Sequence, residues 1–275
     1  MVYSFYFSPT GGTKKVMDIL TEGFMEAARA NGVSEFRSVD FTVRSVYWEI
    51  QSLKEDDICF VGVPSYGGRV PRPALERLAE IRGRGAKAIA VVVYGNRAYD
   101  DTLLELKNQM NGCRFSVFAG SVAVAEHSIL RQFAAGRPDA EDAKELKEFG
   151  AKIWERYAEL SAPKTGEDGQ KISSGRWPSV EVPGNEPYCE YEGASLFPSA
   201  GRKCNECGEC VGECPAGAIP VETPKETNET MCIACMRCID ICPQKARGLN
   251  PMAKAAAGMK MKKVLQDRKG NGLFL

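Results

Sequence analysis

The 275-residue sequence predicts an α/β protein, a doubly wound five-stranded parallel sheet with helices on both faces, joined to a second, smaller module. Three observations carry that expectation. Across residues 1–160, short apolar runs alternate with segments of helical period. Two of the runs, 58–64 and 87–94, are nearly continuous in Val, Ile, Phe and Ala, as strands buried on both faces should be. Eight of the eleven cysteines then crowd into residues 204–242, where the strand–helix alternation has stopped.

The first strand is expected over residues 2–8. In the helix that follows, Val16, Leu20, Phe24 and Ala27 share one face, and Asn31-Gly32 ends it. Residues 36–40 read as the second strand and 58–64 as the third, followed by a helix marked by Leu75, Leu78 and Ile81. Residues 87–94 form the fourth, followed by a helix marked by Leu103, Leu104 and Met110, and residues 114–124 the fifth. A last helix over 139–160 opens on acidic residues, which suit a helix N-terminus, and carries Ala143, Leu146, Phe149, Ile153 and Tyr157 on one stripe. Strands separated by helices require crossover connections, hence a parallel sheet.

Residues 161–200 break the pattern: sixteen of the forty are Gly, Pro or Ser, and the segment reads as an irregular linker, partly wrapped on a neighbour. Residues 201–248 hold an internal repeat, CNECGECVGECP returning as CIACMRCIDICP with first cysteines 28 residues apart. Residues 249–275 form a basic tail, six Lys or Arg against one acid, expected to pack apolar residues such as Val264 and Leu265 on the body. The chain as a whole carries 36 acidic and 36 basic residues, so its charge points to neither nucleic acid nor an anionic membrane surface. No uncharged stretch approaches a membrane span, no basic flank precedes the first apolar run, and clustered cysteines favour metal ligation over disulfides; the expected location is cytoplasmic.

Cys204, Cys207, Cys210 and Cys214 precede Pro215, and Cys232, Cys235, Cys238 and Cys242 precede Pro243, so each half of the repeat reads CxxCxxCxxxCP. Gaps of two residues let one turn of backbone aim three thiolates at one face of an iron–sulfur cubane. Structural zinc also uses CxxC pairs, but it normally takes two cysteines from each of two knuckles rather than three from one run. The repeat resembles bacterial two-cluster [4Fe-4S] ferredoxins over about fifty residues, with no ligand position missing. That resemblance implies a small α+β module in which Cys204, Cys207, Cys210 and Cys242 hold one cluster and Cys232, Cys235, Cys238 and Cys214 the other. Cys59 reads as a core residue, Cys113 lies at a helix-to-strand turn, and Cys189 has no vacant ligand position to fill.

The loop SPTGGT, residues 8–13, stands between the first strand and the first helix, where free backbone N–H groups and the helix dipole favour an anion. It lacks the GxxxxGK of a P-loop and the GxGxxG of a dinucleotide site. Ser8, Thr10, Gly11, Gly12 and Thr13 supply hydroxyl and amide donors without a fixed cation, which suits a phosphate monoester. Ligands of doubly wound sheets bind beyond the carboxyl ends of the strands. At that edge the third strand ends in Ser65, Tyr66, Gly67 and Gly68, and the fourth in Tyr94, Gly95, Asn96 and Tyr99. Loop packing of the tyrosines alone is the plain alternative. These three loops resemble those of flavodoxins, which implies a sheet order of 2-1-3-4-5, FMN as cofactor, and Tyr66 or Tyr99, with Tyr94 as the alternative, stacking on its ring.

Taken together, the chain resembles the flavodoxin/ferredoxin fusion proteins of anaerobic bacteria and archaea, the segments at 94–101 (YGNRAYDD) and 126–139 (EHSILRQFAAGRPD) looking like that family's own. The resemblance implies electron transfer between two [4Fe-4S] clusters and FMN in anaerobic redox metabolism, with redox partner proteins as donor or acceptor. Flavodoxins are strongly acidic, whereas residues 1–160 carry 21 basic and 22 acidic residues, which favours docking on the chain's own cluster module. Two other readings stay open: a terminal FMN-dependent reductase of a small acceptor such as a quinone, and a redox-sensing module. The lone His127 is read as a hydrogen-bonding residue, with proton handling near the flavin as the alternative. A homodimer stays open as well.

Overall fold

The five apolar runs become five parallel strands in the computed structural model, which describes residues 1–43, 53–162, 164–165, 171–172, 177–191 and 196–275. β1 (Val2–Tyr6) lies between β2 (Phe36–Asp40) and β3 (Ile58–Pro64); β4 (Lys87–Tyr94) pairs with β3, and β5 (Ser116–Val124) with β4. The order is therefore 2-1-3-4-5, the flavodoxin-type doubly wound sheet, with its switch point between β1 and β3. Every residue of β3 and β4 is buried, as their unbroken apolar runs require. β5 starts two residues later than its apolar run because Arg114 adopts a left-handed conformation (φ 65°) and Phe115 still donates to Met110 O, closing the preceding helix.

The connecting helices are α1 (Gly12–Arg29), α2 (Arg72–Leu78), α3 (Thr102–Gly112) and α4 (Ala140–Ser161). α1 and α4 pack together on one face of the sheet, where Phe24 meets Phe60 and Trp154 edge-on at ring distances of 5.1 and 5.5 Å. Two glycines set their approach. A Cβ on Gly23 would stand 2.2 Å from Lys147 O, and one on Gly150 2.3 Å from Leu20 O, so backbone touches backbone at the crossing. Asp139 caps α4, accepting from Glu141 N and Asp142 N while Asp142 accepts from Asp139 N. The other face carries α2 and α3, with Leu78, Leu103, Leu106 and Met110 in its core. Ile81, expected on the helix, is buried beyond its end, and Leu106 rather than Leu104 completes the buried stripe of α3.

Parts of the predicted linker, residues 163, 166–170, 173–176 and 192–195, lie outside the described residues. Within it, β6 (Lys164–Thr165) pairs with β7 (Lys171–Ile172). Residues 177–191 run as a strap along the sheet domain: Trp177 packs on Phe118, Val180 N donates to Val117 O, and Asp101 accepts from Asn185 N and Cys189 N. The cysteine repeat is closed by β8 (Ser199–Ala200) pairing antiparallel with β9 (Arg247–Gly248), and its halves place two short helices equivalently, α5 (Glu209–Gly212) and α6 (Arg237–Asp240).

The basic tail departs from expectation. After α7 (Pro251–Leu265), β10 (Gly272–Phe274) adds antiparallel to β5, so the sheet has six strands rather than five. Leu265 is buried as expected, but Val264 is 46% exposed, since α7 touches the body along a single narrow stripe. Among the described residues, no helix is long and apolar enough to cross a membrane.

Candidate functional site

A cavity of about 300 Å³ opens at the carboxyl ends of β1, β3, β4 and β5. Its floor is built from the predicted loops: Ser8, Thr10, Gly12, Thr13, Ser65, Tyr66, Gly67, Tyr94 and Gly95 all line it. Gly11 turns the chain into α1 in a left-handed conformation (φ 85°), and no side chain caps that helix. Ser8 Oγ instead accepts from Lys14 N at 2.9 Å, and Ser8 N donates to Thr42 Oγ1 at 2.7 Å, so the loop is braced from both sides. Among the described residues nothing accepts from the backbone N–H of Thr10, Gly12 or Thr13, and the Thr10 and Thr13 hydroxyls make no hydrogen bond. The helix N-terminus thus presents free donors to the cavity.

The second loop is a tight hairpin in which Tyr66 and Arg69 exchange backbone hydrogen bonds at 3.0 and 3.1 Å, with Gly67 and Gly68 both at positive φ. Ser65 Oγ shares a hydrogen bond with Thr102 Oγ1 at 2.7 Å. Burial, with Cys235 and Tyr191 nearby, raises the Tyr66 hydroxyl well above the ordinary tyrosine pKa. In the third loop, Gly95 admits His127, whose Cα would stand 3.1 Å from an added Cβ. Tyr94 donates to Gly270 O at 2.7 Å, and burial pushes its hydroxyl up to about 12.

Gly11, Gly68, Asn96 and Tyr99 do not line the cavity. Asn96 is an anchor for the chain's end, donating to Leu265 O and Asp267 O and accepting from Lys269 N. Tyr99 stands edge-on behind Tyr94 at 5.4 Å, and a Cβ on Gly68 would clash with Asp100.

Of the rest of the wall, the sequence marks only His127 and the segment that holds it. Residues 125–130, after β5, contribute one side. Within them His127 Nδ1 accepts from Ile129 N and Leu130 N at 3.2 and 3.3 Å, and burial pulls its pKa down to about 4, so the neutral ring keeps its proton on Nε2. The roof comes from the other half of the chain: Tyr191, Leu196, Ile233 and Ala234, with Ala257 and Met261 of α7. The sequence signal available for Ile233 and Ala234 is their place between two ligand-type cysteines; nothing marks α7.

Beside this cavity the cysteines gather in two sets. Cys204, Cys207, Cys210 and Cys242 line one small cavity; Cys214, Cys232, Cys235 and Cys238 line another. Each quartet rings a small space, as thiolates around a cluster would. Backbone N–H groups point at sulfur in matching places of the repeat, Ala218 N to Cys214 Sγ at 3.2 Å and Ala246 N to Cys242 Sγ at 3.3 Å, with Ala234 N to Cys232 Sγ at 3.4 Å. Burial raises the thiols of Cys210, Cys232, Cys235 and Cys238. At Cys242 burial is outweighed by backbone N–H donors, Ala246 and Arg247 foremost, and the thiol falls below its usual value. Cys207 is exposed. Ile233 belongs to the walls of both the large cavity and the second quartet's cavity.

Residues 203–247 match the family model of the 4Fe-4S dicluster domain. The chain is 52% identical over 44 residues to a subunit of the ion-translocating oxidoreductase complex of Methanosarcina acetivorans, covering 16% of this chain and 17% of that protein. A second relative, a protein NrfC homolog of Haemophilus influenzae, is 31% identical over 84 residues, covering 28% of this chain and 36% of that one. The chain therefore spans well under half the length of either curated relative. Among solved structures, an archaeal flavodoxin is similar over 56% of this chain and 96% of its own, with 16% identity and a TM-score of 0.38. Megasphaera elsdenii flavodoxin is similar over 55% and 99%, with 20% identity and a TM-score of 0.37. The strand order, rather than these scores, carries the fold.

The residues present fit the groups implied. Unpaired amides and hydroxyls at a helix N-terminus fit a phosphate, the tyrosine-walled cavity above them fits a planar ring, and four sulfurs around each small cavity, with N–H donors aimed at them, fit a cubane.

Proposed function

We propose that the chain is an electron-transfer iron–sulfur flavoprotein. Cys204, Cys207, Cys210 and Cys242 hold one [4Fe-4S] cluster, and Cys214, Cys232, Cys235 and Cys238 hold the second. Ser8, Thr10, Gly12 and Thr13 bind the phosphate of FMN, with Gly11 setting the turn. Ser65, Tyr66, Gly67, Tyr94 and Gly95 enclose its ring, while Gly68, Asn96 and Tyr99 hold these loops in place from behind. When bound, FMN would supply a two-electron centre and each cluster a one-electron centre. Two single-electron passages through the quartets match one two-electron exchange at the flavin.

The observation that carries this reading is Ile233. It lines both the second quartet's cavity and the tyrosine-walled one, so the two halves of the chain share a wall. Among the described residues the first quartet's cavity shares no lining residue with the ring cavity, and Cys207 is exposed, which makes this quartet the end at which a redox partner protein meets the chain. The path runs from partner to first quartet, to second quartet, to the ring cavity, or in reverse. The name of the Methanosarcina relative, which belongs to an oxidoreductase complex, supports partners of that kind.

The test is anaerobic purification with iron, sulfide and flavin counted per chain, on wild type and Tyr66→Ala. About eight irons per chain, from two four-iron clusters, are expected, together with one FMN. Tyr66→Ala should weaken flavin binding about fivefold, by loss of a ring contact worth about 1 kcal/mol, and leave iron unchanged. Zinc in place of iron, or no retained flavin in the wild type, would end the reading. An unchanged flavin affinity in the variant would move the stacking role to Tyr94 or Tyr191.

A further inference from the structure

Arg247 is 4% exposed, and among the described residues no carboxylate pairs with it. Its Nη1 donates to Pro224 O at 2.6 Å and lies 3.7 Å from Cys210 Sγ. Its Nη2 donates to Pro198 O at 3.0 Å, to Glu226 O at 3.2 Å and to the Thr227 hydroxyl, while Nε–H has no partner. These partners belong to two different walls. Cys210 and Pro224 line the first quartet's cavity; Pro198 and Thr227 line the second's. The guanidinium therefore sits in the partition between the two sets of sulfurs.

A buried cation met by carbonyls, a hydroxyl and cysteine sulfur, with no carboxylate, carries a large desolvation cost, because neutral partners supply dipoles and no opposite charge. Arginine cannot relieve that cost by losing its proton. With the clusters bound, their thiolate ligands would lie on both sides of it. We propose that Arg247 is the shared counter-cation of the two clusters, a positioning and tuning residue whose charge raises the reduction potential of both. The inference rests on the two-cluster reading above. Reducing a cluster adds one electron and no bond forms or breaks, so the negative charge near Arg247 grows by one at each step. A fixed cation in a low-dielectric partition stabilises each reduced form, and potentials of such clusters follow net charge and hydrogen bonds to sulfur. The effect should reach both clusters, because Arg247 meets Cys210 of the first quartet at 3.7 Å and also hydrogen-bonds Cys238 of the second.

The experiment compares wild type, Arg247→Gln and Arg247→Lys as purified full-length protein. Iron and sulfide are counted first, then each sample is titrated with a one-electron chemical reductant under low-temperature electron paramagnetic resonance, which distinguishes singly from doubly reduced protein. R247Q is expected to move both midpoints to more negative values, with R247K staying near wild type. Iron lost from R247Q but kept by R247K would support the same role, since lysine restores charge without the guanidinium's hydrogen-bond geometry. Loss from both variants would make Arg247 a structural clamp and overturn the inference. Loaded R247Q with unmoved midpoints, or with one midpoint moved alone, would overturn it too. Wild type lacking two clusters would remove the underlying reading instead.

Discussion

The imidazole of His127, the chain's single histidine, accepts at Nδ1 from two backbone N–H groups inside the cavity wall. Burial, with Arg97 nearby, depresses its pKa to about 4 in the folded protein, against about 6.5 in the unfolded chain. Between those values the unfolded chain binds a proton that the folded one refuses. Stability should therefore fall as pH drops from about 6.5 to about 4, by roughly 3 kcal/mol in all, and the loss should level off below that. Denaturant midpoints of wild type and His127→Gln across that range isolate the contribution, because no other histidine titrates there. Nuclear magnetic resonance of the one imidazole gives a direct check: a ring that titrates near pH 6.5 in the folded protein would contradict its burial. His127 could be placed near the site from sequence, since it follows a strand end, but its protonation could not, because that depends on which backbone groups turn toward Nδ1. Asn96 shows the same limit more sharply. As a polar residue on a cofactor loop it reads as a ring contact, yet its partners are Leu265, Asp267 and Lys269, some 170 positions away, and no local pattern announces them.

Elements whose residues repeat with a period were legible; those defined by a close approach or a few residues were not. The second, third and fourth strands carry the expected bounds, since β-branched and aromatic runs flanked by turn residues leave little latitude. α5 and α6 have four residues each, too few to show a period, and are visible only as equivalent halves of the cysteine repeat. That repeat extends to the backbone. Glu206 and Ala234, Gly208 and Met236, and Gly217 and Lys245 all adopt positive φ at matching positions, so the second half bears side chains in left-handed positions where the first has glycine twice. The α1–α4 crossing was hidden for another reason: Gly23 and Gly150 look like helix-weakening residues until their neighbour is seen to be backbone. Gly150→Ala should improve intrinsic helix propensity by up to about 1 kcal/mol and still destabilise the protein. A methyl 2.3 Å from Leu20 O forces α1 and α4 apart, and overpacking of that kind costs about 1–3 kcal/mol. The expected net result is a lower denaturation midpoint with iron content unchanged, because the crossing lies on the face of the sheet away from the cysteines' binding loops. A stabilised variant would show that the helices can separate freely.

At the scale of the whole molecule, the chain leaves the sheet after α4, builds the cysteine unit, and returns to the same sheet as β10. The cysteine unit is fastened on the way out by the strap, where Arg69 donates to Cys189 O. Its own contacts with the sheet domain add three arginine links: Arg77 to Pro215 O, Arg237 to Pro9 O, and Arg131 paired with Asp240. On the way back Asn96, Tyr94 and Arg137 hold residues 265–270, Arg268 pairs with Asp139, and Asn271 accepts from Val124 N. This arrangement explains why a sheet domain balanced in charge, 21 basic against 22 acidic residues, does not depend on long-range attraction to seat its partner. The contact is held by tethering at both ends, which keeps the local concentration of the cysteine unit at the cavity high. It also sets a prediction. Deleting residues 270–275 removes β10, the Tyr94 hydroxyl's acceptor and the Asn271 anchor, but no cysteine, since Cys242 is the last of them. Iron content should therefore hold. α7, which supplies Ala257 and Met261 to the cavity roof, keeps its Asn96, Arg137 and Arg268 links but loses the sheet strand that holds the chain beyond them, so flavin should bind more weakly and trypsin should cut sooner at Lys260, Lys262 and Lys263. Flavin retention on gel filtration and the rate of limited proteolysis measure the two effects. Full flavin affinity and unchanged protection would mean that the strap, the three arginine links and the anchors on residues 265–269 seat the cysteine unit without β10; loss of iron together with flavin would mean that β10 is needed to fold it.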